Sequence, residues 1–227
     1  MKEENEKISD QAEEIKKETI ETAKVFKDSV KNVNIKDETK NAKNFIIKMF
    51  REPLGTIQEI ANDETNKFFK TALFILVIWI LAVFLKSTYA TIYYWGFDRV
   101  WNNILSVLKA VLAPGIGIIV YSVIVLILNK ENKKSLITNI TTLTISQLPS
   151  MIASIVLLLN LFSKKIIHIT SYFSNLCSIL TVVLTYFALK ALFAKESNKE
   201  FFKKYVIIQL IFFVCAIIIS FFEINIY

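Results

Sequence analysis

The sequence predicts an all-α integral membrane protein, a bundle of five transmembrane helices preceded by an amphipathic, charged cytoplasmic helical tail. Three observations predict it. Hydrophobic residues make up 54% of the 227 and gather into long runs. Helix breakers are scarce, with four glycines and three prolines, where a soluble domain carries more of both. The runs do not alternate apolar with polar residues as membrane-barrel strands do. A hydrocarbon core of about 30 Å needs roughly 20 helical residues, and five of the runs suffice.

Residues 1–52 form the charged tail, without glycine or proline. Ile8, Ala12, Ile15, Thr19, Ala23, Phe26, Val30 and Val33 recur at intervals of three or four, which places them on one stripe of a helix. The spacing approaches an 11-residue repeat (Ile8, Thr19, Val30), which suits a nearly straight helix. Threonine and alanine dilute the stripe, so two readings stand. One is a solvated or partly disordered tail. The other is a helix that lies on a membrane or pairs with a protein partner. A break is expected near Asn32–Asn34.

The stretch that follows mixes Phe45 and Phe50 with Lys48 and Arg51, a blend suited to the headgroup boundary. Pro53 then opens a short helix, as proline does at a first helical position. An interfacial helix is expected over 53–67, with Leu54 and Ile57 on its apolar side. Phe45, Lys48, Phe50, Arg51, Leu54 and Ile57 thus form a candidate membrane-surface anchor.

The membrane domain covers 68–227, with spans expected at about 68–90, 108–128, 136–162, 166–189 and 205–222. Basic residues set the orientation, because they collect on the cytoplasmic side of short loops. Lys130, Lys133 and Lys134 follow span two, and Lys190, Lys195, Lys199, Lys203 and Lys204 follow span four. The opposite side holds Lys86, Arg99, Lys164 and Lys165. The bias puts the N-terminus in the cytoplasm and Tyr227 outside a plasma membrane. Tyr89, Tyr93, Tyr94, Trp95, Phe97 and Trp101 cluster as an aromatic belt, which marks a boundary but not a side. The charged N-terminus has no apolar signal core, so span one is expected to direct insertion. The net charge of +7 matches anionic membrane lipids, and no nucleic-acid motif is present.

Little in the spans suggests chemistry. None contains an aspartate or glutamate, and no P-loop, GxGxxG or HExxH motif occurs. Cys177 and Cys215 both fall within spans and are expected to pack between helices. His168 lies one turn from Ser171 but without a nucleophile elbow, so a packing role is expected. Lys109 is expected to snorkel to the headgroups. No enzyme activity, metal or cofactor is expected. Span three is different. Asn139, Thr142, Ser146, Gln147, Pro149 and Asn160 make it polar. Such groups either bond across helices or line a cavity for an ion, a lipid headgroup or a small solute. Pro149 frees a backbone carbonyl about one turn earlier.

Pro53-Leu54-Gly55-Thr56-Ile57-Gln58-Glu59-Ile60 follows a basic apolar stretch and precedes the spans. Ser146-Gln147-Leu148-Pro149 stands early in span three, and Pro114, Gly115 and Gly117 lie in span two. Over about 49–222 the chain resembles the bacterial branch of the Yip family. These are five-pass proteins named for interaction with Ypt/Rab GTPases in eukaryotes. The resemblance implies a non-enzymatic membrane protein that organises protein partners or lipids. The Asp-Leu-Tyr-Gly-Pro motif of eukaryotic members is absent, so Rab binding is not implied. No cysteine precedes Cys177, so the zinc ribbon of some relatives is absent as well. A transporter or channel subunit is the second reading, and a membrane-embedded enzyme the third.

Overall fold

The computed structural model describes residues 2–31, 34–96, 104–129 and 134–224, without the side chains of 2–11, 94–95, 161, 164, 215–216 and 218–224. Among the described residues the chain is helical, with no strand. The elements are α1 (Lys2–Lys31), α2 (Ile35–Arg51), α3 (Pro53–Ala61), α4 (Phe69–Trp95), α5 (Ile104–Leu128), α6 (Leu136–Ser146), α7 (Leu148–Leu157), α8 (Ile167–Leu192) and α9 (Asn198–Ile224). Two short 3-10 turns, Leu158–Leu161 and Lys164–Ile166, join α7 to α8. Val33, Phe97, Arg99, Trp101, Lys130, Lys133 and Tyr227 lie outside the described residues, as do the side chains of Ile8, Tyr94, Trp95, Lys164 and Cys215.

Local chemistry explains the boundaries. Asn34 caps α2, its side-chain oxygen accepting from the Lys36 N–H at 3.2 Å. Asp37 and Glu38 fill the first turn of α2, and Lys48 and Arg51 its last, as the helix dipole favours. Pro53 occupies the first turn of α3, where no N–H is needed. Gly96 ends α4 at φ 83°, a conformation that L side chains rarely adopt. Ser135 caps α6 by accepting from the Thr138 N–H at 3.1 Å.

Three helices are long and apolar enough to cross a membrane: Phe69–Tyr93, Ile104–Leu128 and Ile167–Leu192. Their outward faces carry exposed Leu81, Phe84, Leu105, Leu112, Ile179 and Val182. Water-facing surfaces rarely leave so much contiguous apolar area uncovered, and lipid accepts it. The second span begins four residues before the expected 108, which puts Lys109 inside α5. The expected fifth span, 205–222, falls within α9, part of whose side chains are not described.

The expected third span, 136–162, is not one continuous helix. It breaks at Gln147 into α6 and α7, which meet at 46° and count as a fourth span if the bent pair crosses as one. Pro149 explains the break, since its ring and missing N–H fit only the first turn of a new helix. The freed end is recapped locally, with the Gln147 N–H donating to the Thr144 carbonyl at 3.1 Å. Asn160 stands in the 3-10 turn rather than in the helix.

α6 and α7 sit centrally, with α4, α5 and α8 around them, α3 at one end and α1 alongside α6. α9 is peripheral, against α5 and α8. One apolar core joins Phe45 and Met49 of α2, Ile57 and Ile60 of α3, and Ala188 of α8 with α4, α6 and α7. A second joins Val125, Leu143, Leu189, Leu192, Phe201 and Ile208.

Two expectations about the N-terminal segments need correction. The interfacial helix expected over 53–67 ends at Ala61, and it lies on α8 and α6 instead of only on a bilayer. Its buried residues, Thr56, Ile57, Ile60 and Ala61, face protein. In α1 the residues turned inward are Ile15, Glu18, Thr22, Val25 and Ser29, while Ala12, Thr19, Ala23, Phe26 and Val30 stay exposed. A polar contact sets this rotation: the Glu18 carboxylate accepts from the Leu136 N–H at 3.2 Å, at the N-terminus of α6.

Candidate functional site

Span three was the expected site, and the structure packs it tightly. Asn139, Thr142 and Ser146 have no exposed surface, and Pro149 is buried. Their position explains it, because the central helix has neighbours on every side. Most hydroxyls are satisfied within their own helix. Thr141 donates to the Ile137 carbonyl and Thr142 to the Thr138 carbonyl, each at 2.7 Å. Others tie α6 and α7 to α8. The Gln147 side-chain amide donates to Thr185 Oγ1 at 3.0 Å, and Ser150 Oγ lies 2.8 Å from Thr181 Oγ1. Trp79 of α4 donates to Ser154 of α7 at 3.1 Å. Asn160 accepts from Thr170 at 2.7 Å. Asn139 makes one long bond, its Nδ2 lying 3.4 Å from the Ser122 carbonyl, and its Oδ1 has no partner among the described residues. Asn139, Ser146, Gln147 and Asn160 thus reach other helices, Thr142 is satisfied within α6, and none of the six lines the cavity between α3 and the turn from α8 to α9.

The anchor residues separate into two groups. Phe45 (6% exposed) and Ile57 (1%) belong to the protein core, so they are not available to lipid. Phe50 (65%) and Leu54 (44%) are open, and Arg51 is exposed beside them. Lys48 ion-pairs with Glu59, clamping α2 to α3, and Lys67 reaches the same carboxylate at 3.3 Å. The amphipathic pattern was legible, but not whether protein or lipid covers it.

The hydrogen bond from Lys48 holds the Glu59 carboxyl below its ordinary value of 4.5, with burial opposing and Lys67 assisting. A depressed carboxylate pKa stabilises the fold above its unfolded value and ceases to do so as pH falls through the folded one. Glu59→Gln should therefore destabilise the α2–α3 clamp at neutral pH. The difference from the parent chain should vanish in acid, read as the pH dependence of thermal unfolding. A difference that persisted unchanged into acid would rule the clamp out.

His168 and Ser171 are both exposed, and no hydrogen bond joins their side chains. Cys177 is buried at 4% exposure. Among the described residues no three histidine, cysteine or carboxylate groups gather as a metal site would need.

A cavity of about 440 Å³ lies elsewhere, between α3 and the turn from α8 to α9. Its lining includes Gln58, Asn62, Lys190, Phe193, Glu196 and Phe201. The Glu196 side chain is 2% exposed and ion-pairs with Lys204, which also stands 5.4 Å over the Phe193 ring. The end of α8, next to Phe193, is held by Asn129, whose Nδ2 donates to the Leu192 carbonyl at 2.8 Å. Sequence reasoning assigned this loop only to orientation. The available signal was Glu196, a lone acid within the run from Lys190 to Lys199. No protein-family model matches the chain, and no curated protein or solved structure matches it.

Proposed function

We propose that the chain is a non-enzymatic, multi-pass membrane protein that organises protein partners or lipids, as its resemblance to the Yip family implies. One observation carries this reading. α1 is held to α6 through Glu18, and its apolar residues Phe26 (46% exposed) and Val30 (51%) face outward. An apolar helical face that the described residues leave uncovered suits a partner helix or a lipid surface. Phe50, Arg51 and Leu54 extend an exposed apolar and basic surface toward the start of span one. Five spans are proposed, with α6–α7 as the third, α9 as the fifth, the N-terminus cytoplasmic and Tyr227 outside.

The transporter reading has less support. The polar groups of span three bond within their own helix or across to α5 and α8, where a conduction path needs groups facing open space.

The test is photo-crosslinking in native membranes with probes at Phe26 and at Gln147. Capture of a discrete protein or lipid from the Phe26 probe, and internal crosslinks alone from Gln147, is the expected result. Solute flux in proteoliposomes that stops on Gln147→Leu would overturn the reading in favour of transport.

A further inference from the structure

We propose that the cavity between α3 and the α8–α9 turn binds a zwitterionic ammonium–phosphate group, the chemistry of a phosphoethanolamine headgroup. The inference rests on the membrane reading above but on no protein partner.

The argument begins with Glu196. Glu196 lines the cavity, and its side chain is almost wholly removed from solvent. Lys204 takes one oxygen, Oε1. The other, Oε2, is buried and has no hydrogen-bond partner among the described residues. A buried carboxylate oxygen left without a donor is costly, and a charged donor satisfies it best. Lys204 is already engaged with Oε1 and the Phe193 ring. No described residue supplies the missing donor, and a bound ligand would. A primary ammonium carries three donors. Gln58 and Asn198 also line the cavity and offer amide oxygens for the other two. Phe193 and Phe201 supply aromatic walls that suit the methylene next to a cation.

Charge balance rules against a simple amine. Lys204 offsets Glu196, and Lys190 also lines the cavity with no ion-pair partner among the described residues. A bare cation would add to this surplus of positive charge. A ligand that brings its own anion removes the conflict, with ammonium toward Glu196 and phosphate toward Lys190. The volume lies within the range of about 300–1,000 Å³ usual for small-molecule sites. Leu54 and Ile57 of α3 form an apolar part of the lining, and Leu54 is open to the surroundings. That lip gives the chain-bearing side of a lipid somewhere to lie. The headgroup is therefore taken from a phospholipid, and free phosphoethanolamine shares the recognised chemistry.

The test uses the full chain in detergent and follows thermal unfolding. Soluble phosphoethanolamine, ethanolamine, inorganic phosphate, short-chain phosphatidylethanolamine and short-chain phosphatidylglycerol are titrated separately. Phosphatidylethanolamine should stabilise most, and Glu196→Gln should weaken that response at least about tenfold, the worth of one charge-assisted hydrogen bond. Because Glu196→Gln also loses the Lys204 ion pair, Lys190→Met is the second variant. Lys190 is exposed, so this variant should fold, and the response should weaken likewise. Stabilisation by the lipid alone assigns the membrane as source, and stabilisation by phosphoethanolamine as well admits the free compound. Either supports the site. Equal responses to phosphatidylglycerol and phosphatidylethanolamine, or a response unchanged in both variants, would overturn it. Crosslinking at Phe26 would be unaffected, so the two proposals fail separately.

Discussion

Phe45→Ala is expected to lower the unfolding free energy by about 3–5 kcal/mol, while Phe50→Ala leaves it within about 0.5 kcal/mol. The two phenylalanines sit on the same helix, in the same mixture of lysine and apolar residues. Their surroundings separate them. Phe45 packs among Met49, Ile57 and Ala188, with its ring 5.9 Å from that of Phe68. Truncating it removes buried area and leaves a cavity that rigid helices fill only partly. Phe50 is 65% exposed and has little protein to lose. Its effect should instead appear in proteoliposomes, as weaker quenching by brominated lipid of a fluorophore placed at Arg51. Thermal or denaturant unfolding in detergent reads the first effect. Equal stability losses at the two positions would mean that α2 does not dock on the bundle as described.

Ser146→Leu is expected to cost more than Ser146→Ala by about 1–3 kcal/mol. Ser146 has no exposed surface, donates to the Leu143 carbonyl at 2.8 Å and lies 3.2 Å from Thr185 Oγ1. Alanine removes the hydroxyl and costs only on the order of one interhelical hydrogen bond, about 0.6 kcal/mol. Leucine must also push α6 away from α8. This comparison separates packing from cavity: a lined cavity would accept the leucine without loss. A thermal midpoint for Ser146→Leu equal to that of Ser146→Ala would restore the transport reading.

The helices themselves were legible along the chain because each is announced by local signals. Asn34 and Pro53 mark two starts, and long apolar runs mark the helices that can cross a membrane. Pro149 was visible as a disturbance, but its consequence was not. A proline kinks or breaks a helix according to what recaps the freed groups, and that depends on Gln147 and Thr144 finding a local arrangement.

The faces were less legible. The periodicity of α1 selected Thr19, Ala23, Phe26 and Val30 as its apolar stripe, yet Glu18, Thr22, Val25 and Ser29 turn inward. The stripe is a property of the chain, whereas the rotation follows from one carboxylate meeting the Leu136 amide at the start of α6. The same division runs through Phe45 and Phe50. The cavity at Glu196 was least visible, since it needs α3 and the α8–α9 turn side by side, and Gln58 lies far from Glu196 in sequence.

By itself the sequence determined the helical class, the starts of α2 and α3 and the presence of helices long and apolar enough for a membrane. These follow from composition, periodicity and capping, which act over a few neighbouring residues. Only the tertiary structure decided that the expected third span is bent and filled, that α3 lies on protein, and that Glu196 is left one hydrogen bond short among the described residues. Each of these depends on which surfaces of distant segments meet, and burial converts the same side chain from an anchor into a core residue.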